Sequence, residues 1–230
     1  MSAVLAVERL RFGFDPQREV LHDVSFAVAE GECLGVAGAN GSGKSTLVWC
    51  LLGLHRAEGA VRLFGESVSR GNRHRIGVVF QNPEDQLFMP RLADDVALPL
   101  VNRGMGAVEA AERAHASLEA MDLAHAAGRP ASQLSLGERK RAAIAAALVT
   151  SPELLILDEP TAELDGRSVR RLTALLKGLP VARLITSHDL GFLRGLCSRL
   201  LVLSGGTVIA EGPTGAVLTD LALLERVGLV

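Results

Sequence analysis

The sequence predicts an α/β domain built around a mainly parallel sheet, and three observations carry that reading. A glycine-rich loop, Gly38-Ala39-Asn40-Gly41-Ser42-Gly43-Lys44-Ser45-Thr46, stands between the apolar run Cys33–Ala37 and a helix-like segment, Leu47–Leu52. Three further runs, Ile76–Phe80, Leu154–Leu157 and Ala182–Thr186, lack polar alternation. That pattern suits strands buried on both faces of a parallel sheet. Each run ends in residues able to do chemistry, and open α/β sheets collect their ligands beyond the carboxyl ends of the strands.

The bulk of the chain agrees with this architecture. Its 230 residues fit one large α/β domain or two small ones, with ample chain to bury a core. Although 48% of the residues are apolar, no stretch approaches the ~18 that a membrane helix needs. The longest apolar block is Ala142–Val149. The first residues carry no basic segment ahead of an apolar one, so no secretory signal is expected and the chain reads as soluble and cytoplasmic. With 24 basic and 26 acidic residues the charge is balanced, which argues against a nucleic-acid partner. The cluster Arg70, Arg73, His74 and Arg75 reads as a solvated loop face. Cys33, Cys50 and Cys197 lack metal-ligand spacing and are expected to be reduced core residues.

Each strand end can be assigned a task. In a strand–glycine loop–helix context, the loop backbone curls so that its N–H groups face phosphate oxygens, and the helix N-terminus adds partial positive charge. Lys44 is then expected to reach the β- and γ-phosphates, and the Ser45 hydroxyl to coordinate Mg²⁺. Asp158, ending an apolar strand, offers the carboxylate that a hard cation prefers. Glu159 follows it as a carboxylate able to polarise an attacking water. Gln81 can touch both the metal and that water, and His188 can donate to the γ-phosphate where charge develops. The other five histidines read as structural.

One further segment gives the pattern a family. Ser135-Leu136-Gly137-Glu138 opens the alanine-rich helix with a capping box, a serine followed three residues later by a glutamate. Asp158-Glu159-Pro160-Thr161-Ala162-Glu163-Leu164-Asp165 comes next in the chain. Together with the glycine loop, Gln81 and His188, these segments resemble the ATP-binding cassette (ABC) ATPases, in the family's order and over nearly the whole chain. The resemblance implies a P-loop NTPase core with a mainly parallel sheet, an N-terminal antiparallel β subdomain and an inserted α-helical subdomain. On that pattern 1–230 form a single ABC ATPase domain. Residues 1–81 and 151–230 make the catalytic core, and 82–150 make the helical subdomain with its signature helix.

The same resemblance implies ATP and Mg²⁺ as ligands and a head-to-tail pair of chains, identical or paralogous. Ser135 and the Gly137 N–H of one chain would close on the ATP held by the other, with Asp165 carrying communication across the pair. Leu136 replaces a usual glycine and is expected to turn away from the nucleotide; Glu138 replaces a usual glutamine. Phe14 is the expected adenine-stacking ring, with Phe12 as the alternative. Val108, Ala111, His115 and Leu118 recur at helical spacing and suggest an amphipathic helix.

Gln81-Asn82-Pro83-Glu84-Asp85-Gln86-Leu87-Phe88 is similar to the ATPases of energy-coupling-factor importers of cobalt, nickel or vitamins. Leu87, Phe88 and Met89 then form an apolar patch for a membrane partner's helix, or else pack into the helical subdomain. The leading expectation is an importer's ATPase bound peripherally at the cytoplasmic face of the membrane, with integral-membrane subunits docking near Gln81–Met89. The alternatives are a soluble ABC ATPase of DNA repair or translation, or a subunit of another ABC importer or exporter.

Overall fold

Two sheets share one apolar layer in the computed structural model, which describes residues 3–15 and 18–230. The first is antiparallel. Strands β1 (Ala3–Asp15), β2 (Arg18–Ala29), β4 (Glu58–Leu63) and β5 (Glu66–Ser67) lie in the order β2-β1-β4-β5. The second holds β3 (Cys33–Ala37), β6 (Ile76–Val79), β7 (Leu154–Asp158), β8 (Ala182–Ser187), β9 (Arg199–Ser204) and β10 (Thr207–Pro213), in the order β10-β9-β3-β8-β7-β6. Every pairing from β9 to β6 is parallel, and only β10 runs antiparallel, as the hairpin return from β9. The four apolar runs are therefore adjacent strands, and their carboxyl ends open along one edge.

The runs are apolar on both faces because both faces are covered. Successive side chains of a strand point to opposite sides. Leu155 and Leu157 join a core with Leu92, Val96, Leu118 and Ile144 from the helices. Leu154 and Ile156 join a second core with Leu5, Leu21, Val24 and Val28 of the antiparallel sheet. Each fully buried leucine adds about 1.5–3 kcal/mol, so a polar residue on either face would be costly.

The helix Ala107–Ala120 forms where helical spacing placed one, but its buried face differs from the expected one. Ala110, Ala114 and Leu118 are buried, whereas Val108, Ala111 and His115 are exposed. Small alanines let this helix come close to its neighbours, and close approach outweighs the hydrophobicity of Val108. All three cysteines are buried and free. Burial pushes the Cys50 thiol up to about 12, and Cys33 Sγ meets Cys197 Sγ at 3.5 Å. Among the described residues no helix is long and apolar enough to cross a membrane.

The chain between β2 and β3 is pinned to β9 by a fork of charge-assisted bonds. Arg199 donates to Glu32 through Nε at 2.7 Å and Nη2 at 3.1 Å, and the Ala29 N–H donates to Glu32 Oε2 at 2.8 Å. Burial pushes the Glu32 carboxyl up, but the Arg199 and Ala29 bonds and the Arg199 charge outweigh it and hold it below the usual carboxylate range. A carboxylate held low in the folded state adds stability above its unfolded value and loses it as pH falls through the folded one. Glu32→Gln should therefore cost about 1–3 kcal/mol at neutral pH. Urea unfolding should show the gap from the parent closing as the pH is taken below the glutamate range.

Candidate nucleotide-binding site

The glycine loop joins β3 to the helix Lys44–Leu51, and its geometry depends on its glycines. Gly41 (φ 80°) and Gly43 (φ 104°) occupy the left-handed region, and Gly43 is the N-cap of that helix. At Gly38 a Cβ would come within 2.4 Å of Ser42 Oγ and 2.6 Å of the Leu203 carbonyl oxygen. The curl turns Lys44 back under the loop, where it is buried and donates to the carbonyls of Gly38 (2.7 Å) and Ala39 (3.0 Å). Ser42 Oγ is buried without a hydrogen-bond partner, a polar atom left for something the loop encloses.

The ends of β7 and β8 bring the acids to this loop. Lys44 Nζ lies 2.9 Å from Glu159 Oε1, an ion pair not aligned as a hydrogen bond. The second oxygen, Oε2, meets His188 Nδ1 at 3.0 Å. Glu159 itself sits at φ 46°, a left-handed conformation rare for a residue with a side chain. Its N–H reaches both the carbonyl and the hydroxyl of Thr186 at 3.1 Å, and its carbonyl accepts from Lys140 Nζ at 3.1 Å. Asp158 is buried and accepts from Thr186 Oγ1 at 2.6 Å. Burial raises its pKa, opposed by hydrogen bonds from Thr186 and Ser45. A buried carboxylate disfavoured in this way beside a serine hydroxyl is a donor set that fits a hard divalent cation.

A cavity of about 580 Å³ is lined by Asn40, Gly41, Gly43, Lys44, Thr46 and His188, and also by Ser45, Gln81 and Glu159. The structure thus brings the loop together with Gln81, Glu159 and His188. A neighbouring cavity of about 630 Å³ shares Ser45 and Gln81 with it and adds Asp158, Leu136 and Lys140. Leu136, half-buried, thus lines a cavity beside its own chain's Ser45 and Asp158. A larger cavity, about 860 Å³, lies at the opposite, amino ends of the strands beside Glu153 and Ala182. It has no glycine loop, whereas the smaller pair gathers the residues singled out by the sequence.

The other anticipated residues lie apart. Ser135 caps the helix Leu136–Leu148. Its Oγ accepts from the Glu138 N–H at 3.3 Å, and Glu138 Oε2 accepts from the Ser135 N–H (2.9 Å) and hydroxyl (2.7 Å). Ser135 is exposed, Gly137 is half-buried, and neither lines the cavity around the glycine loop. Asp165 caps the next helix, Gly166–Lys177, through the Ser168 N–H at 2.7 Å. Phe14 is 61% exposed and lies edge-on to Phe12 at 5.1 Å, in a groove beyond the loop cavity. Phe12 is the ring already occupied, stacked on His55 at 4.9 Å.

Of the apolar patch after Gln81, Leu87 is buried in the helical core. Only Phe88, 68% exposed, and the half-buried Met89 remain at the surface. Asp95 fixes that segment by accepting the N–H groups of both at 2.9 Å. Sequence reasoning missed Thr186, Lys140 and Asp95. Lys140 and Asp95 are buried charged residues of two helices, and no local sequence signal marks them.

A glycine loop with a buried lysine, a strand-end acid pair and a histidine on a parallel sheet define a P-loop ATPase. The family follows from comparison: a model described as ABC transporter matches residues 21–162, and the chain belongs to that family. A Gloeobacter violaceus protein named no more specifically than an ABC transporter ATP-binding protein is 40% identical, covering 100% of this chain and 97% of its own. The cobalt import ATP-binding protein CbiO of Rhodobacter capsulatus is 38% identical over 100% of this chain and 85% of its own. The solved structure of cbiO1 from Clostridium perfringens, part of the ABC transporter complex cbiONQ, superposes with a TM-score of 0.87 at 32% identity, covering 100% and 96% of the two chains. The chain is an ATPase that powers a transporter.

Gly38→Ala tests how closely the loop is built. The added methyl should strain the loop by about 1–3 kcal/mol. It should also weaken triphosphate binding, read by urea unfolding with and without nucleotide.

Proposed function

We propose that this chain is the ATP-hydrolysing subunit of an energy-coupling-factor-type importer for a transition-metal ion or a vitamin. The observation that carries the hydrolytic part is the Glu159 carboxylate held between Lys44 and His188 at the mouth of the glycine loop. The names of CbiO and cbiO1 support the importer type. So does the exposed Phe88, seven residues after Gln81 in the chain.

The loop N–H groups and the Lys44–Leu51 helix N-terminus bind the phosphates, and Phe14 stacks on the adenine. Ser45, Gln81 and Asp158 would hold Mg²⁺, which would supply positive charge to offset that of the phosphates. A bound triphosphate competes with Glu159 for Lys44, and the carboxylate so released accepts the proton of the attacking water. His188 steadies that carboxylate through Nδ1 and donates from its other nitrogen to the γ-phosphate. The capped N-terminus, with Ser135 exposed and Gly137 half-buried, closes on the nucleotide of a second chain, identical or paralogous. Asp165 lies beside it. The 82–150 segment is the unit that turns toward the core on closure. Phe88 and Met89 receive a helix of the membrane subunits at the cytoplasmic face.

Glu159→Gln should lower steady-state ATP hydrolysis by about 10²–10⁴-fold, the usual contribution of a general base. Binding of a fluorescent ATP analogue should persist. Undiminished turnover would remove Glu159 from this role.

Phe88→Glu should detach the chain from solubilised membrane subunits while ATP binding is kept, measured by copurification. A complex that survives the charge would place the docking surface elsewhere.

A further inference from the structure

Lys140 is a charged side chain that the mechanism above does not use, although it is only 3% exposed. It lies on the helix Leu136–Leu148, one turn beyond the Ser135 cap, and crosses to the end of β7. There its ammonium donates to the main-chain carbonyl of Glu159 at 3.1 Å. Burying an ammonium is costly unless it is bonded and faces negative charge. Glu163, Glu159 and Asp158 supply that charge, while burial holds the Lys140 pKa down. Glu159 has the left-handed backbone, so a bond to its carbonyl acts on the peptide that sets where its carboxylate points. The Lys140 contact therefore joins the two ends of the chemistry within one chain.

We infer that Lys140 is a positioning residue that fixes the Glu159 turn and ties it to the helix opened by Ser135. Closure of that helix on a second chain's nucleotide is thereby transmitted to the base of the first chain's own site. The inference rests on the proposed role of Glu159 as base. Lys140 lies outside the cavity around the glycine loop, so its loss changes turnover while leaving the affinity of the loop for phosphate in place.

The test compares the full chain with Lys140→Met, Lys140→Arg, Glu159→Gln and the double variant Lys140→Met/Glu159→Gln. Steady-state kcat, ATP affinity and amide exchange across residues 158–164 are read for each. Lys140→Met should lower kcat by about 10- to 100-fold, as expected for a base displaced by about 1 Å. ATP affinity should change less than about 3-fold and exchange in the turn should rise. Arginine, which can still donate, should restore most of the kcat. In the double variant, methionine should add little to the loss caused by glutamine alone. Should Lys140→Met not fold, Lys140→Gln takes its place with the same readouts. Unchanged kcat and unchanged exchange would overturn the inference, as would a loss fully additive with that of Glu159→Gln. Undiminished turnover in Glu159→Gln would instead overturn the reading of Glu159 itself, and with it the base that Lys140 is said to position.

Discussion

The contact between Lys44 and the Glu159 carboxylate is the constraint on which the rest of the site depends. Both side chains are almost wholly buried, at 5% and 6% exposure. Two charges taken out of water repay the desolvation only when each meets its partner and further bonds besides. Lys44 has two loop carbonyls as well, and Glu159 has His188. These groups come from the ends of β3, β7 and β8, three neighbouring strands in the parallel sheet. A shift in register of any one of them would leave a buried charge alone. The sheet's strand order and the site's electrostatics therefore specify each other.

The same acid occupies a backbone conformation that costs free energy. Residues held in such regions carry about 1–3 kcal/mol of strain and persist only where their surroundings over-determine them. Around Glu159 that determination is visible. Thr186 takes the N–H, Lys140 takes the carbonyl, and Lys44 and His188 divide the carboxylate. Glu163, also left-handed at φ 62°, lines the same two cavities. Two left-handed residues thus fall in the short segment between Asp158 and the helix capped by Asp165.

How much of this was legible in the chain depended on how local its cause was. The glycine loop, the capping box of Ser135 and Glu138, and the four apolar runs are dictated by neighbours a few residues apart. They stand where the sequence placed them, with Ile76–Phe80 ending one residue sooner and the next two runs one residue later. Phe80 leaves the strand because its N–H turns to the side chain of Gln86. The phase of the Ala107–Ala120 helix was misread because hydrophobicity favours Val108, while packing favours alanines that let helices approach. Leu87 went into the core for a related reason, since the helical layer had room for one of three consecutive apolar side chains. Lys140, Thr186 and Asp95 were unreadable because their partners lie on other elements.

The segment from Gln81 to Met89 shows how an exposed surface is joined to the buried chemistry. At one end Gln86 accepts the Phe80 N–H at 2.9 Å and donates to the Val78 carbonyl at 3.0 Å, extending the ladder of β6 with a side chain. At the other, buried Asp95 holds the N–H groups of Phe88 and Met89. Between them Asn82 caps the short turn Pro83–Asp85, and Glu84 reaches Arg139 of the Ser135-capped helix at 3.4 Å. A segment with both ends bonded and a proline in its middle has little freedom to absorb a displacement. The segment is thus tied to β6 through Gln86 on one side and to the Ser135-capped helix through Glu84 on the other. The ion pair is long at 3.4 Å and its Glu84 carboxylate is exposed, so it is weak and the firmer tie is the one through Gln86 into the sheet.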